Sequence, residues 1–269
     1  SEVAFHQLVD VFNDNSADRS QAAGEVLLHL KDCNLVSLNL QGCEMIPSSA
    51  WQKLRGASWT NLREANFDSC FVYETNAADL LEVLRNSPLE KLNFCRCSQI
   101  PSTAWQKLRG ASWTNLREAN FDSCFVYETN AADLLEVLRN SPLEKLNFCR
   151  CSQIPSAAWQ KLRGASWTNL REANFSQCFD EDTKGADGAA DLLEVLRNSP
   201  LEKLNFDYCH EIGPAAWQRV PSGAWPALRD APGIPDEELS RIVSGGPACS
   251  LRPGHCGYGA AMAPEETGK

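Results

Sequence analysis

The nine-residue stretch LEKLNFCRC at residues 89–97 decides the fold, because it returns in register along most of the chain. It stands unchanged at residues 143–151, and a close variant, LEKLNFDYC, stands at residues 201–209. A sister form with the pattern L-R-E-A-N-F-x-x-C alternates with it, at residues 62–70, 116–124 and 170–178. A segment repeated so regularly predicts one strand in each unit of a repeat array, and not a fold around a single central core.

The first leucine of each copy recurs at every twenty-seventh position, at Leu35, Leu62, Leu89, Leu116, Leu143 and Leu170. The next step, to Leu201, is longer by four positions, because four residues are inserted between residues 180 and 188. Leu228 follows at the regular spacing, and Leu8 precedes Leu35 at the same spacing. The chain therefore has about nine coils, and the outer two are atypical, as is expected of capping repeats.

Two kinds of coil alternate, which gives the chain a second period twice as long as the first. Residues 59–112 and 113–166 are identical except for Thr103 and Ala157. A-type coils carry LEKLNFCRC and then a segment such as SQIPSTAWQKLRGAS, whereas B-type coils carry LREANFDSC and then FVYETNAADLLEVLRNSP. The near-identity of the two units indicates duplication. It leaves open whether the function of the chain depends on its length or on a surface shaped for one ligand.

In this pattern the chain resembles the leucine-rich repeat family, and in particular its longer, cysteine-containing, ribonuclease-inhibitor-like subclass. The general pattern of that family is L-x-x-L-x-L-x-x-N/C-x-L, with repeats of about 20 to 29 residues. Phenylalanine replaces the third leucine here, and alanine replaces the second leucine in B-type coils. The resemblance covers roughly residues 8–230. It implies an α/β solenoid with a curved parallel β-sheet on the concave side and helices on the convex side.

We expect three regions along the chain. Residues 1–34 are a degenerate N-terminal capping repeat, and residues 35–230 are the leucine-rich repeat solenoid. Residues 231–269 are a C-terminal closing segment followed by a flexible tail rich in Gly and Pro. Within this last region, IPDEELSRIV at residues 234–243 predicts a helix that covers the last edge of the sheet.

Alternation along each strand predicts which side chains are buried. Positions one, four and six of a coil are expected to point inward, for example Leu89, Leu92 and Phe94. In B-type return segments, Asn76 is suited to cap a helix, and Asp79 three residues later gives a start like a capping box. All eight tryptophans fall at positions 17 or 25 of A-type coils, which predicts packing between helix and sheet rather than a ligand platform.

The cysteines follow the repeat, which argues against a disulfide framework. Seven of the twelve occupy position nine, at which the family resemblance implies that the chain turns after the strand: Cys43, Cys70, Cys97, Cys124, Cys151, Cys178 and Cys209. A small thiol bonded to the turn suits that place, so we expect reduced structural thiols and a reducing compartment. Cys95 and Cys149, at position seven, are expected to point outward and to be more exposed. The cytoplasm is the favoured location, the nucleus is an alternative, and secretion stays open because the chain begins at Ser1 without Met.

Charge and motif content disfavour several classes of function. The net charge of −10 argues against nonspecific nucleic-acid binding, which requires a basic stripe. No apolar run approaches the ~18 residues of a membrane-spanning helix, so we expect no membrane partner. We expect neither an enzyme nor a cofactor, because the histidines have no repeat-linked nucleophile and no phosphate-loop or dinucleotide motif occurs.

Two short motifs resemble metal sites, but both break the required pattern. The insertion at residues 180–191 has Asp, Asp and Gly at the first, third and sixth places of a calcium loop, yet Lys184 occupies a ligand position and Asp191 replaces the bidentate Glu. Common zinc sites have a close cysteine pair, which is missing among the tail residues Cys249, His255 and Cys256. We therefore expect no metal site.

Recognition in a solenoid of this kind normally takes place on the inner surface formed by the strands. Position five presents an unbroken row of asparagines, beginning at Asn39, whose amides are close enough to bond along the row. Positions seven and eight vary most between coils. The candidate partner-binding residues are therefore Asn66, Asn93, Asn120, Asn147, Asn174, Asn205, Asp68, Arg96, Asp122, Arg150, Asp207 and Tyr208.

Positions two and three carry charges whose sign alternates from coil to coil, so each charge is expected to have opposite charges on both flanks. Such pairs contribute about 0.2 to 1 kcal/mol at best, and they favour the correct register between coils. They also leave little net potential to attract phosphate or nucleic acid.

The favoured hypothesis is an intracellular, monomeric module that binds a protein partner of unknown identity on the concave strand face. The family resemblance implies such a role in general terms. Two alternatives stay open. One is a structural spacer or scaffold without a dedicated ligand, and the other is the substrate-recognition arm of a larger polypeptide, such as a ubiquitin ligase or a sensor.

Overall fold

A computed structural model describes residues 17–73, 76–127, 130–179 and 186–244. Three features considered above lie outside these residues: the strand of the first coil at Leu8, the first half of the acidic insertion at residues 180–185, and the tail with Cys249, His255 and Cys256. The division of the chain into a degenerate first repeat, a solenoid and a closing segment stays a prediction.

Within the described residues, seven short parallel strands form one sheet in the order of the sequence. Their bounds are β1 Ser37–Asn39, β2 Glu64–Asn66, β3 Lys91–Asn93, β4 Glu118–Asn120, β5 Lys145–Asn147, β6 Glu172–Asn174 and β7 Lys203–Asn205. Each residue pairs with the residue at the same position of the next coil, so that Asn93 pairs with Asn120. This register confirms the predicted α/β leucine-rich repeat solenoid, in which the strands line the concave side.

The return segments hold the helices. In chain order these are α1 Ala17–Lys31, α2 Ser48–Trp51, α3 Ala78–Leu84, α4 Ser102–Trp105, α5 Ala132–Leu138, α6 Ser156–Trp159, α7 Ala189–Leu196, α8 Pro214–Trp217 and α9 Asp236–Ile242. Helices α2, α4, α6 and α8 belong to A-type coils, and the longer α3, α5 and α7 belong to B-type coils. Short 3-10 turns follow α2, α4 and α6 and precede α7, at Gln52–Leu54, Gln106–Leu108, Gln160–Leu162 and Ala186–Gly188.

Asparagine precedes two of the three B-type helices, α3 and α5, as the sequence predicts for Asn76, whereas Gly188 stands in the equivalent place before α7. The Oδ1 atom of Asn76 accepts the backbone N–H of Ala78 at 2.9 Å, and the equivalent bond recurs in the next B-type coil. Asp79 does not complete a capping box, because the guanidinium of Arg55 in the preceding coil binds its carboxylate at 3.0 Å. This acidic side chain therefore joins two coils and does not close the start of its own helix.

The positions expected to point inward form the core. Leu89, Leu92 and Phe94 are at most 2% exposed, and all eight tryptophans are buried. The position-six phenylalanines stack along the solenoid with ring centroids 5.1–6.3 Å apart, in the order Phe67, Phe94, Phe121, Phe148, Phe175 and Phe206. Each coil thus buries its apolar face against its neighbours, which is the packing that the repeat period implies.

The two sets of tryptophans satisfy their indole N–H groups differently. At position 25 each indole donates to a carbonyl in the last turn of the longer helix of the preceding coil. Trp113, for example, donates to Leu84 at the end of α3 at 3.0 Å. At position 17 the buried indole N–H has no oxygen or nitrogen acceptor. These rings lie edge-on to the phenylalanine stack, as Trp105 does to Phe94 at a centroid distance of 5.7 Å and an interplanar angle of 72°. The same perpendicular arrangement of indole and phenyl rings recurs in four coils.

The last strand is covered by an extended segment, and not by the helix that the sequence predicts for this purpose. The N–H of Leu204 donates to the carbonyl of Asp230, and the N–H of Phe206 donates to that of Pro232, both at 2.9 Å. These bonds continue the parallel pairing, so the backbone itself satisfies the edge. Helix α9 forms as predicted, but it packs on the last return segment, where the N–H of Trp225 donates to the carbonyl at the end of the helix at 3.2 Å.

Gly233 permits the closing contact on strand β7. Its φ of +78° lies in the left-handed region, which glycine adopts without steric cost. A Cβ atom at this position would stand 2.1 Å from the carbonyl carbon and oxygen of Phe206. Any side chain there would push the segment off the edge of the strand.

Candidate functional site on the concave strand face

The asparagine row is bonded into the backbone of its own coils. In every described strand, the Oδ1 atom of the position-five asparagine accepts the N–H of the residue two positions later, at 2.7–3.1 Å. Bonds of this type shape the chain where it turns. Within the described strands no asparagine amide donates to the next one, so the expected bonding along the row does not form.

This bonding fixes the orientation of the amides. Because Oδ1 is used by the turn, the Nδ2 group is left as the outward donor. The Nδ2 group of Asn66 donates to Oε1 of Gln41 at 3.3 Å, and Nε2 of Gln41 donates to Oδ2 of Asp68 at 3.3 Å. Sequence reasoning missed Gln41, although its place at position seven of the coil that begins at Leu35 is a signal that could have found it.

Position eight has a left-handed backbone wherever it is not glycine. The φ values are 56–60° at Ser69, Arg96, Ser123, Arg150, Gln177 and Tyr208. The first five of these donate their N–H to the position-seven carbonyl of the next coil, as Arg96 does to Asp122 at 2.7 Å. A left-handed residue other than glycine costs roughly 1 kcal/mol. The hydrogen bonds that hold the turn outweigh this cost in coil after coil, and they keep positions seven and eight in line along the strand ends.

Asp68 and Arg96 form a bidentate ion pair on this face. The Nε atom of Arg96 donates to Oδ1 of Asp68 at 3.0 Å, and Nη2 donates to the two carboxylate oxygens at 2.9 and 3.0 Å. The side chain of Asp68 is 4% exposed, whereas that of Arg96 is 58% exposed. Hydrogen bonding to Asp68 raises the pKa of the Arg96 guanidinium. The face therefore presents a fixed cation whose counterion lies beneath it.

The cysteines at position seven are less exposed than the sequence predicts. Cys149 is 4% exposed, which makes that expectation wrong, and Cys95 is half-buried. Neighbouring parallel strands are only about 4.8 Å apart, so side chains at the same position of adjacent coils shield each other from water. Burial raises the pKa of the Cys95 thiol to about 12, and the nearby carboxylates of Asp68 and Asp122 add to the shift. Cys95 is therefore a neutral thiol at physiological pH.

The position-nine cysteines donate to the backbone of the turn, as expected. The Sγ atom of Cys97 lies 3.0 Å from the carbonyl oxygen of Phe67 in the preceding coil. The same bond recurs at Cys70, Cys124, Cys151, Cys178 and Cys209. All ten described cysteines are free thiols. These buried side chains join coils and present nothing to a ligand.

Most charges at position two pair with one neighbour and not with two. Each B-type arginine binds the glutamate of the following A-type coil, at Arg63–Glu90, Arg117–Glu144 and Arg171–Glu202. Of the described glutamates at this position, Glu202 alone forms ion pairs with the arginines of both neighbouring coils, Arg171 and Arg229. At position three, Lys145 and its equivalents reach back to the glutamate of the preceding B-type coil at 3.3–3.9 Å. At position two, before the last coils, each ion pair therefore joins a B-type coil to the A-type coil that follows it, and the expected pairing with both neighbouring coils does not form.

An exposed aromatic residue marks the C-terminal end of the face. Tyr208 is 48% exposed, and its ring lies edge-on to that of His210 at 6.4 Å. The carbonyl of Asp207 accepts the N–H of Gln177 at 3.0 Å, which holds this turn against the preceding one. The other candidate residues lie between this end and the Asp68–Arg96 pair, and they are half-buried, except Asn120, which is buried. The predicted site residues thus share one continuous surface, and sequence reasoning left out His210.

Among the described residues, no group of three or more His, Cys, Asp or Glu side chains is arranged to hold a metal ion. In the same part of the chain, no helix combines the length and the apolar character needed to cross a membrane.

A strand, a turn with a buried cysteine and a helical return repeat along the chain, and together they define a leucine-rich-repeat-type solenoid fold with alternating A- and B-type coils. No protein-family model matches the sequence, and no curated protein matches it. A chain of the Rad7 and Elc1 complex in yeast is similar in fold, at 20% identity and a TM-score of 0.44, over 81% of this chain and 63% of that chain.

Two further solved structures are similar at lower identity. One is LegL7, a leucine-rich repeat-containing protein from Legionella pneumophila, at 14% identity and a TM-score of 0.42, over 87% of this chain and 76% of that chain. The other is the tropomodulin C-terminal domain from Caenorhabditis elegans, at 10% identity and a TM-score of 0.33, over 75% of this chain and 88% of that chain.

Proposed function

We propose that this chain is an interaction module that binds a protein partner on its concave strand face. The observation that carries the proposal is the row of outward Nδ2 donors, whose direction is fixed because each Oδ1 atom is bonded to its own coil. Polar groups that are already held in place lose little conformational freedom on binding. The extended inner surface of a solenoid is also the part of such folds that commonly serves recognition.

The residues beside the row would supply specificity. They differ between adjacent coils, although the Asp-Ser pair at residues 68–69 recurs at residues 122–123 and the Cys-Arg pair at residues 95–96 recurs at residues 149–150. Arg96, held by Asp68, and the exposed Tyr208 are of residue types that are enriched in protein interfaces. The proposed contact residues are Asn66, Asn93, Asn120, Asn147, Asn174, Asn205, Asp68, Arg96, Asp122, Arg150, Asp207 and Tyr208.

The charges on the face indicate the kind of partner, and the free cysteines bear on the location of the protein. Because the charges at positions two and three are paired within the sheet, the surface favours a partner recognised by hydrogen bonds and shape over a polyanion. We also propose an intracellular location, which the ten free thiols of the described residues support.

A structural spacer is the second candidate, and one observation favours it. The same Oδ1 bonds would shape the turns of a solenoid that binds nothing. The two candidates differ in whether exposed side chains at positions seven and eight can be replaced without loss of partner binding.

Affinity capture with matched variants separates the two candidates. The bait is the intact chain, presented to a lysate of its source cells, and the captured proteins are quantified by mass spectrometry. The concave variant is Asp122→Ala with Tyr208→Ala. Its control, Glu136→Ala with Tyr73→Ala, removes one carboxylate on helix α5 and one exposed tyrosine beyond the strand ends.

A protein that the parent and the control retain, and that the concave variant loses, is the expected result. Equal retention by all three baits would contradict a concave binding site. Recovery of no specific protein by the parent would favour the spacer. Thermal melting of each bait verifies that a loss of capture is not a loss of fold.

A further inference from the structure

A row of basic side chains runs along the helical side of the solenoid, away from the strand face. It consists of one basic residue from the end of each longer helix and one from the turn of each A-type return segment. We name this row the basic belt, and its members are Lys31, Arg55, Arg85, Arg109, Arg139, Arg163, Arg197 and Arg219.

The helix-end members lie against the turn of the next coil. The Nη2 atom of Arg139 donates to the carbonyl of Arg163 at 2.9 Å. The Nη2 atom of Arg85 is 3.4 Å from the place that a Cβ atom on Gly110 would occupy, directly beside Arg109. The belt therefore brings arginines of adjacent coils together in pairs, and the absence of a side chain on the turn glycine leaves room for the guanidinium.

The turn members hold their counterions beneath them. Nε of Arg109 binds Oδ1 of Asp133 at 3.1 Å, and the side chains are 72% and 14% exposed, respectively. The same arrangement joins Arg55 to Asp79 and Arg163 to Asp191. An arginine has five N–H donors, and such a pair uses only part of them. The outer edge of each guanidinium thus stays available to a second acceptor.

The belt keeps an excess of positive charge. Its eight cationic side chains face four carboxylates, from Asp79, Asp133, Asp191 and Glu194, which leaves four positive charges. Two further carboxylates on helices α3 and α5 are paired with lysines outside the belt, at Glu82–Lys107 and Glu136–Lys161. Within the described residues, Arg85 and Arg139 form no ion pair with a carboxylate. This local excess contrasts with the net charge of −10 on the whole chain.

A hollow of about 310 Å³ lies at the C-terminal end of the belt. Its lining residues are Arg163, Gly164, Asp191, Glu194, Val195 and Arg219. Guanidinium groups from two coils thus border a recess at the surface, and Asp191 and Glu194 are the carboxylates with which they pair there.

We infer that the basic belt is a docking surface for an acidic, Asp- and Glu-rich segment of a partner protein. Carboxylates are the groups that guanidinium forks bind most specifically. A short peptide feels mainly the local positive field, because charges are screened beyond about 8–10 Å in salt solution. A long nucleic acid or an anionic membrane would also meet the negative charge of the rest of the chain. The inference does not depend on the concave site, since it concerns the opposite side of the molecule.

Fluorescence anisotropy with a labelled deca-glutamate peptide tests this inference on the full chain. The belt variant is Arg85→Gln with Arg139→Gln, which removes two cations that are not ion-paired. The matched control is Gln99→Glu with Gln153→Glu, two residues that lie beyond the strand ends and, like the belt pair, are separated by two coils. Both variants make the net charge more negative by two, so general electrostatics is the same in each.

We expect the parent and the control to bind the peptide with similar Kd, and the belt variant to bind it about tenfold more weakly. Binding should also weaken between ~50 mM and ~300 mM NaCl. Equal Kd values for the belt variant and the parent would overturn the inference. A single-stranded DNA oligonucleotide or phosphatidylserine vesicles that bind more tightly, with the same dependence on Arg85 and Arg139, would overturn the assignment to an acidic protein segment.

Discussion

The Sγ atom of Cys124 lies 3.0 Å from the carbonyl oxygen of Phe94, which belongs to the coil before. The thiol is the donor, because the carbonyl oxygen can only accept. The same carbonyl also accepts the N–H of Cys97 in its own turn, at 3.1 Å. One buried oxygen thus holds a turn and the next coil at the same time, and the relationship recurs along the sheet.

Two substitutions of Cys124 should distinguish how much its hydrogen bond and how much its packing contribute to the free energy of unfolding. We expect Cys124→Ala to lower the free energy of unfolding by about 1–2 kcal/mol, from the lost bond and the lost burial of the sulfur atom. Cys124→Ser should lose less, since a hydroxyl group can still donate to Phe94. Urea unfolding followed by tryptophan fluorescence measures both. A serine variant that is no more stable than the alanine variant would mean that the site needs volume and not a donor.

Stability should decline at alkaline pH because of the buried thiols. Burial raises the pKa of Cys43 and of Cys97 to about 12, from an ordinary value of 9.0. A thiol whose pKa is higher in the folded state contributes its full stabilisation below pH 9.0, and the unfolded chain is favoured as the pH rises from there towards 12.

Melting temperatures measured across this pH range check the expectation. The parent should lose more stability than a Cys43→Ala, Cys97→Ala variant, in which these two thiols no longer titrate. Lysines and tyrosines titrate equally in the two proteins, so they cancel in the comparison. Identical slopes against pH would show that the buried thiols are not the cause.

Phe121 should be among the more costly core residues to remove. Its ring is fully buried, and it stacks between Phe94 at 6.3 Å and Phe148 at 5.2 Å. We expect Phe121→Ala to cost about 3–5 kcal/mol in unfolding free energy. Tyr127→Ala, at an aromatic residue that is 57% exposed, serves as the control and should change stability by less than about 0.5 kcal/mol. Similar losses for both would contradict the assigned core.

Deleting residues 113–166 should leave a shorter, folded solenoid. The indole of Trp113 donates to Leu84, and that of Trp167 donates to Leu138 in the equivalent place. The deletion would bring Trp167 to Leu84 and recreate a junction that already exists, because solenoid stability depends on neighbouring repeats.

Circular dichroism and denaturant unfolding of the deletion variant measure the outcome. We expect one cooperative transition and an m-value reduced in proportion to the buried surface that is lost. A chain that fails to fold would contradict equivalence of the two junctions. A folded deletion variant that still captured the same partner would mean that residues 113–166 are not needed for binding.

Sequence reasoning recovered the features that depend on periodicity. The facing of Leu92 and Phe94, the core role of the tryptophans and the cap at Asn76 follow from alternation or from local hydrogen bonding. These properties repeat in each coil, so each copy is independent support for the same interpretation.

Other features depended on distances between coils, which one sequence does not contain. Cys149 is buried because neighbouring strands crowd position seven, although alternation alone turns it outward. Asp79 has the spacing of a capping box, but a guanidinium one coil away competes successfully for its carboxylate. Most charges at position two pair with one neighbouring coil and not the other, so that each pair joins a B-type coil to the A-type coil that follows it. The basic belt was missed for a related reason, since its members are far apart in sequence and the chain as a whole is acidic.

The closing contact at Gly233 has a consequence for solubility. An uncovered strand offers unpaired N–H and C=O groups to any other chain, and it is a common starting point for aggregation. Among the described residues, the backbone at residues 230–232 covers strand β7, and it reaches the strand because residue 233 has no side chain. A larger residue at position 233 would displace this segment and leave the edge of strand β7 open to pairing with another copy of the protein.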